Sequence, residues 1–143
     1  MASIPSSTTI LFIDGHDHDR QYWVKRLTIS SPDWVILEAG TGAAGLSICQ
    51  SQHIDCVVTE LALSDMSGFK VLIDLVPRIL HPRIAVIILS RLNFQTLAEL
   101  ALLNGAQTYL VKSRISGDEL DRAIRKALAT VAPTRKELHT WNA

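Results

Sequence analysis

The sequence predicts a doubly wound α/β domain, a five-stranded parallel sheet with helices on both faces. Three observations carry that prediction. Short apolar, β-branched runs alternate with helix-length segments along the chain. The runs are apolar on successive residues, as suits strands covered on both faces. Four of the five runs also break off at a polar residue, Asp14, Glu60, Ser90 and Lys112, where the chain returns to solvent. Short connections and right-handed crossovers then assemble the units into a three-layer sandwich. A chain of 143 residues, 48% hydrophobic and 20% charged, holds enough apolar material for one core.

The first strand is Thr9 to Ile13 (TILFI), ending abruptly at Asp14. The second is Trp34 to Ala39. Thr41 can cap the helix that follows, Gly42 to Gln52, although Gly42 and Gly45 weaken it. The third strand, Cys56 to Thr59, is reached from Asp55 and stops at Glu60; Pro77 should kink or end the helical segment after it. The fourth and most apolar strand is Ile84 to Leu89. Asn93 can cap the next helix, which runs to Asn104 with Gly105 as its C′ residue. The fifth strand is Thr108 to Val111. Ser116 and Glu119 form a capping box for the last helix, whose core stripe is Leu120, Ile124, Ala127, Leu128 and Val131. Asp118 with Arg122, and Asp121 with Arg125, supply i,i+4 ion pairs outside that stripe. The domain spans 1–131, with its core over 9–131, and 132–143 reads as a polar tail or the start of a linker.

Charge and cysteine usage narrow the function. Lys plus Arg equals Asp plus Glu at 14 each, whereas a protein built on nucleic-acid phosphates or an anionic membrane carries a positive excess. Neither is expected as a direct partner. No apolar run approaches the ~20 residues that span a bilayer, and Met1 to Ser7 lacks the basic start of a signal peptide. A soluble, cytoplasmic domain is expected. Cys49 and Cys56 form no Cys-x-x-Cys pair and read as small buried apolar residues.

In an open parallel sheet, ligands bind beyond the carboxyl ends of the strands. The residues there are Asp14 to Asp19, Glu60, Ser90 and Lys112: carboxylates, a hydroxyl and an ammonium converging on one pocket. A nucleotide or flavin would need a glycine- or hydroxyl-rich loop after the first strand, and DGHDHD would repel its phosphates. Hydrolase chemistry lacks a histidine near Ser90 to act as base. The two histidines and three aspartates of DGHDHD raise a transition-metal reading through His16 and His18. Against it, Asp17 and Asp19 suit a helix N-terminus electrostatically. Trp23 and Trp34 are available as fluorescence reporters, with neither expected in the pocket.

The stretches ILFIDGHDHDR, ILEAGTGAAGL, DCVVTELALSDMSGFKVL, AVIILS and NGAQTYLVK resemble the receiver domain of bacterial response regulators, from Thr9 to about Val131. The resemblance implies strand order 2-1-3-4-5 and a place in two-component signalling. In that family an Asp after the third strand accepts a phosphoryl group, and two acids after the first strand hold Mg²⁺ with it. A Ser or Thr after the fourth strand binds phosphoryl oxygens, and a Lys after the fifth neutralises charge. Carried over, Asp14 is the first acid, Ser90 the hydroxyl, Lys112 the lysine, and Tyr109 the aromatic that changes rotamer on activation. Two positions depart: the second acid is Gly15 and the phosphoacceptor is Glu60.

Those departures imply an atypical receiver, a signalling module and not an enzyme, without normal aspartyl phosphorylation. Mg²⁺ would be held weakly if at all, by Asp14 and Glu60. The extra methylene should carry the Glu60 carboxylate toward Lys112 and the Ser90 hydroxyl, either as a lasting mimic of the phosphorylated state or as a plain structural pair. The alternative is a phosphorylatable receiver with an unusual acceptor. The family implies a sensor kinase or output domain as partner. Leu97, Leu100, Leu102 and Leu103 exceed one buried stripe, and the resemblance points the same way, to a homodimer or partner face on the fourth helix, fifth strand and fifth helix.

Overall fold

The β-branched apolar runs pair edge to edge, and helices between them return the chain so that every strand points the same way. The computed structural model describes residues 7–76 and 84–131. Its elements are β1 (Thr9–Ile13), α1 (Asp17–Ser30), β2 (Val35–Ala39), α2 (Gly42–Ser51), β3 (Cys56–Thr59), α3 (Gly68–Leu75), β4 (Ala85–Ser90), α4 (Gln95–Leu103), β5 (Thr108–Val111) and α5 (Gly117–Val131). A 3₁₀ turn over Lys112–Arg114, which the sequence pattern does not announce, separates β5 from α5. The sheet order is β2-β1-β3-β4-β5, all parallel, so the chain reverses its direction of winding between β1 and β3. Pro77 and the segment 132–143 lie outside the described residues, and α3 gives way to Val76 just before that proline.

Alternate residues of each central strand face opposite helical layers. Leu11, Ile13, Val57, Val86 and Ile88 pack with Val71 and Leu72 of α3 and Ala101 of α4. Ile10, Phe12, Val58, Ile87 and Leu89 pack with Trp23 and Leu27 of α1 and Leu120, Ile124 and Ala127 of α5. β3 and β4 are buried at every residue and β1 at all but its first. The edge strands β2 and β5 are covered less fully, so their runs are not buried on both faces as the sequence pattern expects.

The caps follow the sequence with one exception. The Thr41 hydroxyl accepts from the Ala44 N–H at 3.1 Å. The Ser116 hydroxyl accepts from the Glu119 N–H at 3.1 Å while Glu119 reaches back to the Ser116 N–H. Gly105, at φ 101°, closes α4: its N–H donates to the Leu102 carbonyl and the next N–H to that of Ala101. Asn93 does not cap α4. The helix starts one residue late for it, with Phe94 in the cap position and no side-chain bond there.

Two further positions do more than the sequence pattern indicates. Asp121 is buried, and its carboxylate accepts from the Ser30 hydroxyl at the end of α1 and the Ser31 hydroxyl just beyond it as well as from Arg125. The expected i,i+4 pair with Arg125 forms at 2.7 Å, and the same carboxylate also ties α5 to the end of α1. Gly42 and Gly45 do not mark a weak helix so much as a closely docked one. A Cβ at Gly45 would fall inside contact with Ile13, and one at Gly42 would press on Met66.

Candidate functional site

Four of the five strands, β1, β3, β4 and β5, end in or lead into a polar residue on the carboxyl side of the sheet. β1 leads into Asp14, 1% exposed; β3 leads into Glu60, 2% exposed; β4 ends in Ser90, fully buried. Lys112 follows β5 at the start of the 3₁₀ turn. Such burial demands partners, and they are present. Lys112 Nζ lies 2.6 Å from Asp14 Oδ2, 2.9 Å from Asp19 Oδ2 and 3.3 Å from Glu60 Oε1. The sequence-predicted residues Asp14, Glu60 and Lys112 therefore meet.

Glu60 is held by backbone as well as by Lys112. Its Oε2 accepts from the Leu61 N–H at 2.6 Å and, at a longer 3.5 Å, from that of Ala62; its Oε1 accepts from the Arg91 N–H at 3.2 Å. The expected reach toward the Ser90 hydroxyl is not made. Ser90 Oγ instead accepts from the Leu92 N–H at 3.1 Å, shaping the turn after β4. The loop after Glu60 closes on itself through the Gly68 N–H and the Leu61 carbonyl, and Asp65 fastens it to α2 by accepting from the Gly42 and Ala43 N–H groups, both at 2.9 Å. Gly68 is required there, because a Cβ would strike the Glu60 carbonyl.

Asp14 Oδ1 accepts from the His16 N–H at 2.9 Å, an Asx-type turn that leads into α1. Arg20 braces the same loop by donating to the Asp14 carbonyl while its Nε reaches Glu38 on β2. Gly15 lies beside the Gly40 carbonyl, which a Cβ would approach to 3.2 Å. Tyr109, half-buried, donates its hydroxyl to the Leu92 carbonyl at 2.7 Å, so β5 is tied to the β4–α4 loop directly beside Ser90.

Two members of the site escape sequence reasoning in this role. Asp19 turns from the first turn of α1 into the pocket, and Arg91 meets it with two nitrogens at 2.9 and 3.0 Å. The Arg91 hydrogen bond, aided by Lys112 and opposed by partial burial, holds Asp19 far below the usual carboxylate range. Burial works against the Lys112 ammonium, but hydrogen bonds to Asp14 and Asp19 and the charges of Asp14 and Glu60 outweigh it, so its pKa is raised. Asp19 carries a faint signal in the sequence, since a residue one half-turn into α1 is close to the end of β1. A shallow cavity of about 510 Å³ adjoins the cluster, lined by His18, Asp19, Tyr22, Trp23, Arg91, Lys112 and Ser113. Trp23 therefore borders the site, contrary to expectation.

The histidine–aspartate run is dispersed. His16 faces Asp14, Asp17 pairs with Arg20, and Asp19 with Arg91 and Lys112. Among the described residues, no group of three or more His, Cys, Asp or Glu side chains is arranged to hold a metal ion.

Comparisons with known proteins agree with this fold. The family model for the response regulator receiver domain matches residues 10–125. The nitrate/nitrite response regulator protein NarL of Escherichia coli is 33% identical over 122 residues, covering 85% of this chain and 55% of that protein. The transcriptional regulatory protein GlrR of the same organism is 28% identical over 111 residues, 78% of this chain and 24% of GlrR. The chain thus spans about half or less of the curated relatives it matches. Among solved structures, a response regulator receiver domain protein from Clostridium thermocellum superposes with a TM-score of 0.76 at 30% identity, covering 86% of this chain and 95% of that one. The receiver domain of a NarL from Mycobacterium tuberculosis, at 22% identity and a TM-score of 0.77, shares the fold. The chain belongs to the response regulator receiver domain family.

Receiver domains of this family are modules of two-component signalling, and in general they bind Mg²⁺ at the phosphorylation site. The residues present here do not fit that ion. Gly15 offers no side-chain oxygen, and each oxygen of Asp14 and Glu60 already has an N–H or ammonium donor. Mg²⁺ requires near-octahedral oxygen ligands, and the Lys112 ammonium stands among those that remain.

Proposed function

We propose that this receiver domain signals through protein contacts without aspartyl phosphorylation, its Glu60 carboxylate serving as a permanent occupant of the phosphoryl position. One observation carries the reading. The Glu60 carboxylate already engages the backbone N–H groups of Leu61 and Arg91 and the Lys112 ammonium, the kind of donor set that stabilises a transferring phosphoryl group. A group that fills its own donor set is a poor acceptor, because positioning supplies nearly all the catalysis in phosphoryl transfer.

The route from site to surface runs through the β4–α4 loop. Glu60 fixes the Arg91 N–H, Ser90 fixes that of Leu92, and Tyr109 holds the Leu92 carbonyl. Phe94, Leu100, Leu102 and Leu103 follow on that loop and on α4 and are exposed, giving an apolar face for a partner. In this reading the face, with β5 and α5, binds an output domain or a second copy, and the setting is cytoplasmic. No helix among the described residues is long and apolar enough to cross a membrane.

Intact mass after incubation with acetyl phosphate and Mg²⁺ tests the reading, on the wild type and on a Gly15→Asp, Glu60→Asp double variant. The double variant should gain a labile phosphoryl group and the wild type none. A phosphorylated wild type would make this an ordinary phospho-switch with an unusual acceptor. Glu60→Ala should alter partner affinity; unchanged affinity would remove the permanent-occupant part alone.

A further inference from the structure

Three carboxylates from three segments of the chain converge on one ammonium. Asp14 comes from the end of β1, Asp19 from the first turn of α1 and Glu60 from the end of β3, and Lys112 Nζ is within 3.3 Å of an oxygen of each. The lysine side chain is only 7% exposed, so these contacts are weakly screened by solvent. Arg91 closes the outer side with paired bonds to Asp19. Three carboxylates against two cations leave one net negative charge. In the family pattern two acids and an acceptor aspartate also make three carboxylates. Here Gly15 has removed one and Asp19 brings the number back, but Asp19 is bound by cations of the chain itself.

We infer that Lys112, gripped by Asp14, Asp19 and Glu60 and backed by the Asp19–Arg91 pair, is the resident cation of this pocket and stands in place of a divalent metal among its carboxylates. The inference rests on Glu60 being a lasting occupant of the site, and extends that reading to the metal. Asp19 is then a positioning residue, since it fixes Lys112 from one side and Arg91 from the other. A divalent cation approaching the carboxylates would face an ammonium already at hydrogen-bond distance from all three. The pocket would hold its arrangement whatever the Mg²⁺ concentration.

Mn²⁺ is the probe, followed on the full chain by enhancement of water-proton relaxation, with Mg²⁺ as competitor. The wild type should show no saturable Mn²⁺ binding at millimolar metal. Lys112→Met keeps an unbranched side chain and removes the ammonium from Asp14 and Glu60, so it should bind Mn²⁺ at least about tenfold more tightly than the wild type. Equal binding by the two proteins, or no gain in the variant, overturns the inference. If Lys112→Met does not fold, amine labelling of the wild type decides. Lys112 should resist the reagent relative to the exposed Lys25, Lys70 and Lys126, equally with and without Mg²⁺. A Mg²⁺-dependent rise in Lys112 labelling would mean that the metal displaces it, and the inference would fall. A wild type that binds Mn²⁺ yet takes no phosphoryl group sinks this inference alone, whereas a phosphorylated wild type sinks the reading beneath it.

Discussion

One methylene separates Glu60 from the aspartate that the family pattern places after β3, and the structure shows where it leads. The carboxylate does not extend to Ser90. It turns into the backbone N–H groups of Leu61 and Arg91, with Lys112 alongside. Glu60→Gln therefore tests charge at constant size. An amide presents one acceptor oxygen and a donor NH₂, so at least one N–H or the ammonium loses its partner in a buried place. The expected cost is about 1–3 kcal/mol in urea unfolding; a neutral substitution would mean that the N–H donors find other acceptors. At this scale the sequence made the meeting of Asp14, Glu60 and Lys112 legible, because each follows the carboxyl end of a strand, whereas Tyr109 was named by the family resemblance alone. Asp19 and Arg91 were not legible as partners. They are 72 positions apart, and their meeting depends on how α1 lies across the β4–α4 loop, which no periodicity encodes.

Elements were legible wherever local chemistry and packing agree, as at the capping box of α5 and the Gly105 terminus of α4. They were misread where packing overrules propensity. Gly45 looks like a helix-weakening residue, since Ala is preferred to Gly by about 1 kcal/mol inside a helix. Yet α2 lies so close to β1 that a Cβ at Gly45 would enter the space of Ile13, which is fully buried. Gly45→Ala should therefore destabilise by about 1–3 kcal/mol despite its better propensity, because overpacking a buried contact costs more than propensity returns. Pairing it with Ile13→Val, which removes the nearest methyl, should recover part of the loss in a double-mutant cycle. Simple additivity of the two substitutions would show that the helix accommodates the methyl by another route. The N-terminus of α4 was misread for a related reason. Asn93 has the better capping chemistry, but the β4–α4 loop is fixed at Leu92 by Ser90 and Tyr109, and the helix begins past Phe94.

At the scale of the whole molecule, two groups of buried charge lie at different places, one at the sheet's carboxyl edge and one where α1 meets α5. In the second, Asp121 is opposed by burial but held below the usual carboxylate range by the Ser30 and Ser31 hydroxyls and Arg125. Arg125 also lies over the Trp34 ring at 4.8 Å. Asp19 at the sheet edge is lowered as well, and Lys112 raised. The signs fix a stability window. A lowered carboxylate contributes fully above its unfolded pKa, about 4, and its contribution is lost as pH falls through the folded value. A raised lysine contributes fully below about pH 10 and loses it as pH rises through the folded value. Stability should therefore be flat with respect to these three groups between about pH 5 and pH 9, and fall on both sides. Asp121→Asn separates the two groups, because it acts only on the α1–α5 tie. It should lower stability at neutral pH by about 2 kcal/mol and shallow the acid limb, leaving the alkaline limb to Lys112. Urea unfolding followed by tryptophan fluorescence across pH gives both limbs, with Trp34 reporting on the tie and Trp23 on the pocket. An acid limb unchanged by Asp121→Asn would place the acid sensitivity in the pocket, with Asp19 as its first source.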